Sequence, residues 1–393
     1  MHKFTGRALG ASLVALAVAA SLTGCSSTTE QAAPAAAQAT TPQHIFYIMM
    51  ENHGYSQIIG NTADAPYTNT LAAKYNIATQ FHGVTHPSLP NYLAAISGDF
   101  QGIHDDCKAG ATVTCAPEEF VPTADDKTSL ALLTPAQTAT AAKAAHLFNG
   151  KNIVDQLEAK GHSWKAYMEG LPTAGSPVEY APTVATPKGP TVVKLYAQKH
   201  NPFMYFSDIN SPNNPRLNKI VPLESAFDAD LANNTVPDFA WVSPNQCHDM
   251  HGVSPAGAAL INNPRCGYPD KGLDHGAIAL GDDYLKTTIT KIMDSQTWKS
   301  SNSAIVISWD ENDYSGSSAG PGSPVGVNDV ALGGGDAPSI VITAKGNPNH
   351  TTFTTPYDHY SMLGTIEKLW GMGCLANTCT LKDNDLMTAM FNL

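Results

Sequence analysis

The sequence has no CxxC pair, which excludes the common zinc-ribbon and thioredoxin-type centres. It is also poor in charge, since Asp, Glu, Lys and Arg make up only 14% of the chain. The 22 basic residues are scattered singly against 34 acidic ones, for a net charge of −12. No basic stripe is therefore available to track a phosphate backbone, and no nucleic-acid binding is expected. No internal repeat is visible, which argues against a solenoid or propeller. The most apolar stretch, residues 13–22, is too short to span a bilayer stably.

That stretch reads as an address. Lys3 and Arg7 precede it, and it ends in Leu22-Thr23-Gly24-Cys25, small residues running into a cysteine that resemble a bacterial lipobox. The expectation is a lipoprotein signal peptide over 1–24, with Cys25 lipidated and holding the protein to a membrane on its exported side. An ordinary cleaved signal peptide is the alternative, and either one exports the chain. Residues 25–43, rich in Ala, Thr, Gln and Pro, read as a flexible tether, and 44–393 as a single domain. The other six cysteines fall into local couples, Cys107 with Cys115, Cys247 with Cys266 and Cys374 with Cys379. Structural disulfides formed in an oxidising compartment are the expectation.

Within the domain, the run His44–Met50 is almost continuously apolar and stops at Glu51-Asn52-His53-Gly54, as a buried parallel strand opening into a polar loop would. The same form recurs over 238–242, over 303–309 before Asp310-Glu311, and over 339–343 before a Gly-Pro loop. Helical periodicity over 89–97, 152–160, 276–293 and 358–370 alternates with these runs. The expected fold is α/β, with a mostly parallel central sheet between helical layers. Two stretches with little period, 108–140 and 170–191, read as loop insertions around the site.

Ligands collect at the carboxyl ends of strands in such sheets. Glu51 and Asn52 follow one strand and Asp310 and Glu311 another, which makes three carboxylates and an amide, a donor set suited to a divalent metal ion. Ser88, in Thr85-His86-Pro87-Ser88-Leu89-Pro90-Asn91-Tyr92, sits at or beside a helix N-cap, where free N–H groups and the helix dipole favour an alkoxide or a phosphate. A plain helix cap is the alternative reading of that serine. His86, His248, His251 and His359 lie near candidate strand ends and are candidate phosphate-oxygen donors, leaving-group acids or ligands of a second metal.

MMENHGYSQIIG, THPSLPNYLAAISGD, VDQLEAKGHSWKAYMEGLP, KHNPFMYF, FAWVSPNQCHDMH, ISWDENDY and HYSMLGTIEKLWG occur here in order. On these segments the chain resembles the bacterial and fungal phosphoesterase family of acid phosphatases and phosphatidylcholine-type phospholipases C, similar in fold to the alkaline phosphatase superfamily. The resemblance implies Ser88, not Thr85, as a nucleophile that is also a metal ligand, with Glu51, Asn52, Asp310 and Glu311 completing the set. It implies hydrolysis of phosphate esters through a phosphoserine. One departure stands out, an acidic Asp358 before His359 where the pattern has an uncharged residue. A phosphomonoesterase is expected because the chain is short for that family. Phospholipase C, or a lipoprotein that binds metal or phosphate without turnover, are the alternatives.

Overall fold

A computed structural model describes residues 41–118, 126–315, 317–345 and 350–392. The signal peptide, Cys25 and most of the tether lie outside the described residues. Pro42 and Gln43, read as the end of the tether, already bond to the folded part. Trp370 Nε1 donates to the Pro42 carbonyl at 2.8 Å, and Gln43 N donates to that of Asn302 at 2.6 Å.

The large sheet contains β1 (His44–Met50), β2 (Asn76–His82), β3 (Trp164–Met168), β6 (Ile220–Pro222), β7 (Phe239–Ser243), β8 (Ser303–Trp309), β9 (Asp336–Thr343), β10 (Thr352–Phe353) and β11 (Tyr357–Asp358). A separate two-stranded sheet pairs β4 (Tyr180–Thr186) with β5 (Gly189–Ala197). The order across the large sheet is β10-β2-β9-β8-β1-β7-β3-β6, with β11 beside β2. Every pairing in it is parallel except those of β9, which runs antiparallel to both β2 and β8. With eleven α-helices among the described residues, this is the α/β architecture expected from the sequence.

β1 is apolar along its length because both of its faces are covered. Ile45, Phe46, Ile48, Met49 and Met50 are fully buried, and Tyr47 stacks on Trp241 of β7 at 4.9 Å. Each such side chain contributes about 1.5–3 kcal/mol of burial. The strand is thus a rigid base for the polar residues that follow it. The run at 339–343 looks like β1 in sequence, yet β9 is reversed. Its carboxyl end therefore points away from those of β1 and β8, and the loop after it is not part of the same rim.

The helices end where the chain chemistry says they should. Asn152 caps Ile153–Lys160 by accepting from Val154 N at 3.0 Å, and Gly161 closes it at φ +79. Asp358 caps His359–Leu369 by accepting from Ser361 N at 2.7 Å, which gives the departure before His359 a local structural reason. The stretch 170–191, expected to be an irregular insertion, holds β4 and the start of β5. Most side chains of this hairpin are exposed or half-buried on both faces, so no apolar alternation marks it. All three expected disulfides are formed, Cys107–Cys115, Cys247–Cys266 and Cys374–Cys379.

Candidate active site

Parallel pairing carries two polar strand ends to one place. β1 and β8 pair in register to Met50 and Trp309, and Asp310 N then donates to the Met50 carbonyl at 3.0 Å. Glu51 N donates to the Asp249 carbonyl at 2.8 Å. Glu51, Asp249, Asp310 and Glu311 are thereby brought together, all of them buried.

Ser88 opens the helix Ser88–Ser97, which begins after Pro87. Its hydroxyl is within hydrogen-bonding distance of Glu51 Oε2 at 3.0 Å and Glu311 Oε1 at 3.4 Å. Lys199 Nζ donates to the same oxygen at 3.2 Å. The helix start is tied to this lysine by Asp106, which accepts from Leu89 N at 3.0 Å and from Lys199 Nζ at 2.8 Å. Thr85 is committed elsewhere, its hydroxyl donating to the Leu332 carbonyl at 2.7 Å. Asn91 fixes the turn ahead of the helix. Its amide donates to the Thr85 carbonyl at 2.6 Å and to Glu311 Oε2 at 3.1 Å, while its oxygen accepts from Val84 N at 2.7 Å.

Of the four nominated histidines, three adjoin these carboxylates. His86 Nδ1 is 2.6 Å from Glu311 Oε2, its Nε2 is 3.1 Å from Asn312 Oδ1, and its ring stacks on Tyr314. Both of its nitrogens therefore hold protein groups, and it orients Glu311. His251 lies behind Lys199, 3.5 Å from Nζ, with Nδ1 2.9 Å from the Gly252 carbonyl. Burial and then the Lys199 charge push it down to about 4, so it is neutral at pH 7. Nδ1 is then the donor and Nε2 accepts from Lys199. His359 Nε2 donates to the Asp310 carbonyl at 2.6 Å, and burial pushes this histidine down to about 4 as well.

The fourth, His248, is redirected. It sits 2.7 Å from Glu169 Oε1 and stacks on Tyr284. Residues 245–249 form a tight turn, with His248 N and Asp249 N both donating to the Asn245 carbonyl, and this sends neighbouring side chains different ways. Asp249 goes inward and His248 remains a third exposed. Asn52 follows Glu51 but is half-buried, unlike the carboxylates.

The sequence reading names no role for Lys199, His200, Asp106 or Asp249. Lys199 and His200 lie in KHNPFMYF, one of the family-like segments, and Asp249 lies between two nominated histidines. His200 bridges Glu51 Oε1 at 3.0 Å and Asp249 Oδ2 at 3.2 Å. Tyr92 stacks on it at 5.2 Å, and Ser243 Oγ at the end of β7 donates to its carbonyl at 2.7 Å.

Charges in this pocket are unevenly matched. Burial alone would raise Glu51, but the His200 charge and hydrogen bond and the Lys199 charge hold it below the usual carboxylate range. Burial would lower His200, but Glu51 and Asp249 raise it to about 9. Asp310 is pushed well up, first by burial and then by Glu51 and Glu311. Both oxygens of Asp310 and Nδ1 of His359 are buried without a hydrogen-bond partner. With Nε2 of His359 donating, its Nδ1 carries a lone pair. Orphaned buried acceptors of this kind are costly unless a cation takes them. The donor chemistry thus fits a divalent metal at Asp310, Glu311, Glu51 and Ser88, with His359 adjoining. Glu51, His200 and Asp249 form a second compact group, their ligand atoms all within 4.8 Å of one another.

The sequence profile of the Phosphoesterase family matches residues 61–373. A Mycobacterium tuberculosis protein named phosphatidylinositol-3-phosphatase is 26% identical over 342 residues, 86% of this chain and 80% of that protein. A Kluyveromyces lactis protein named "Probable acid phosphatase" is 26% identical over 331 residues, and an Aspergillus fumigatus acid phosphatase is 25% identical over 332. Each of these two alignments covers 84% of this chain, but the chain spans only 58% and 55% of the two fungal proteins. Among solved structures, a protein in the alkaline phosphatase superfamily from Vibrio parahaemolyticus aligns with a TM-score of 0.43 and 14% identity. That alignment covers 88% of this chain and 72% of the other.

Proposed function

From the premise that this chain belongs to the phosphoesterase family, and so hydrolyses phosphoric esters, we propose that it is a metal-dependent phosphomonoesterase with Ser88 as nucleophile. The observation that carries this is the Ser88 hydroxyl itself. It is buried at a helix start, faces Glu51 and Glu311 as proton acceptors, and has the Lys199 ammonium 3.2 Å away. Burial alone would lower Lys199, but the Asp106 and Glu51 charges outweigh it and hold the ammonium protonated. A site that only bound phosphate would have no need of a hydroxyl held in this way.

Attack by Ser88 Oγ on phosphorus breaks the bond to the leaving alcohol and forms a phosphoserine, which water then hydrolyses. The hydroxyl proton passes toward a carboxylate it already faces. Lys199 places fixed positive charge where negative charge gathers on the phosphoryl oxygens. A divalent ion held by Glu51, Asp310, Glu311 and Ser88 would supply Lewis-acid polarisation and further charge neutralisation. The mycobacterial relative, of which this chain covers 80%, is named as a phosphatase, which favours a monoester over the diester cut by a phospholipase C.

Mixing with an aryl phosphate that has a good leaving group should give a burst of alcohol and a phosphorylated peptide containing Ser88. Ser88→Ala should lose roughly 1000-fold or more of turnover while unfolding within about 1 kcal/mol of the parent. Near-parental turnover in that variant, or a label on Thr85 or a histidine, would end this mechanism. We further infer export with lipidation of Cys25; the three disulfides support the export part of this reading. Cys25→Ala should leave the membrane fraction, and its retention there would refute the anchor.

A further inference from the structure

A cavity of about 440 Å³ opens beside the Ser88 cluster. Lys199, His251 and Asp106 line its inner part, and Lys199 Nζ is one hydrogen bond from Ser88 Oγ. One wall is β5 at Thr191, Val192, Val193 and Lys194. Val253, Leu260 of the helix Pro255–Leu260, and Tyr268 also line it. A phosphoryl group at Ser88 would therefore have its esterified part directed into this space.

Where the cavity meets solvent, exposed apolar side chains stand among the polar Thr191, Lys194 and Ser254. Among the described residues the exposed large hydrophobic side chains are Val192, Leu260, Tyr268, Val325 and Val330, and the first three all line it. Exposed apolar groups gathered at the mouth of a pocket mark a binding surface, whereas single ones are ordinary. Its cations are already engaged. Lys199 is bound to Asp106 and Ser88, and Lys194 lies over the Tyr180 ring at 4.2 Å. Asp106 and Glu118 add acidic groups to the lining, Glu118 being pushed up to about 7 by burial and then by Asp106. The walls are also built firmly. Leu195 of β5 packs on the cluster of Cys247, Val253, Ala258 and Cys266, Gln246 N donates to the Leu195 carbonyl at 2.9 Å, and the Cys247–Cys266 disulfide closes the loop behind.

We propose that this cavity is the leaving-group subsite and that it selects phosphate monoesters of uncharged alcohols with an aromatic or branched apolar body, against small polar or polyanionic alcohols. The proposal rests on the phosphomonoesterase reading above. Full-length wild-type protein and the double variant Val192→Ser/Leu260→Ser would be compared for kcat/KM on 1-naphthyl phosphate and glycerol 2-phosphate. Both substitutions are at exposed positions outside the catalytic cluster, and matched thermal melting would confirm an intact fold. Wild type should prefer the naphthyl ester. In the variant that substrate should lose on the order of 10-fold while glycerol 2-phosphate stays within about 2-fold, since only apolar contacts to the leaving group are removed. Turnover of both substrates by wild type, with the same selectivity in the variant, overturns the subsite alone. A wild-type enzyme inert toward both overturns the functional reading and the subsite with it.

Discussion

Two groups of acidic residues in this protein have opposite characters. At one, Arg216 joins Asp155 at 3.2 Å, Glu158 at 2.8 Å and Asp208, while Lys219 and Trp164 Nε1 also reach Glu158. Every carboxylate there has a cation beside it, and all are partly open to water. At the other, Glu51, Asp249, Asp310 and Glu311 are buried, and Asp310 has no hydrogen-bond partner on either oxygen. Both groups are acidic in sequence, but only the second holds a carboxyl, Asp310, that the protein itself leaves without a partner. The matched group is scaffold, because its energy is already realised within the fold. The unmatched one costs stability and is retained for something that binds.

The contrast is broken most directly at Asp310. Asp310→Asn should lower turnover at least about 100-fold and cut bound metal, yet raise the melting temperature of chelator-treated protein, because the fold no longer has to hold a carboxyl whose ionisation is opposed by burial and by Glu51 and Glu311. Activity assay, metal analysis and melting in chelator measure the three arms. Full activity with unchanged metal content would place the site elsewhere.

A smaller effect of a different kind is expected at the matched group. Arg216→Ala should leave kcat unchanged and cost about 1–2 kcal/mol of stability by denaturant unfolding. That cost should depend on pH. Burial alone would raise Glu158, but its hydrogen bonds from Trp164, Arg216 and Lys219 hold it below its ordinary value. A carboxyl depressed in the fold contributes stability above its unfolded pKa of about 4.3, and loses it as pH falls through the folded value. The gap between parent and Arg216→Ala should therefore be full at pH 7 and shrink below about pH 4. A gap that grows in acid would show that the pairing has been misread.

What the sequence made legible follows from what each element has to bury. β1, β7 and β8 are covered on both faces and announce themselves as apolar runs, so Glu51, Asp310 and Glu311 could be found by looking just past them. Ser88 was marked by the proline-flanked start of its helix. Strand direction leaves no such mark, because an apolar run reads the same whichever way its neighbours run, and β9 therefore misled. β2, with half-buried and exposed positions among its buried ones, was not recognised. Lys199 and His200 sit in a short 3-10 segment, Gln198–His200, between a solvent-exposed hairpin and the core. No periodicity points at such a place. Asp249 and His248 are neighbours whose opposite directions are decided by a turn that the residue types do not specify.

The in-register pairing of β1 with β8 implies that the cluster is addressed by strand pairing and not by spacing along the chain. Glu51 and Asp310 are 259 positions apart in the sequence (310 − 51), yet each is simply the next residue after a paired one. Only the loops of the connection between them can change length without moving either carboxylate, since that connection also carries β7, Ser88, Lys199 and Asp249. One residue gained or lost inside β1 or β8 would turn a carboxylate toward the opposite face of the sheet. For this fold, then, tolerance to insertion and tolerance to substitution are distributed differently, and the strands that look most ordinary in composition are the least free in length.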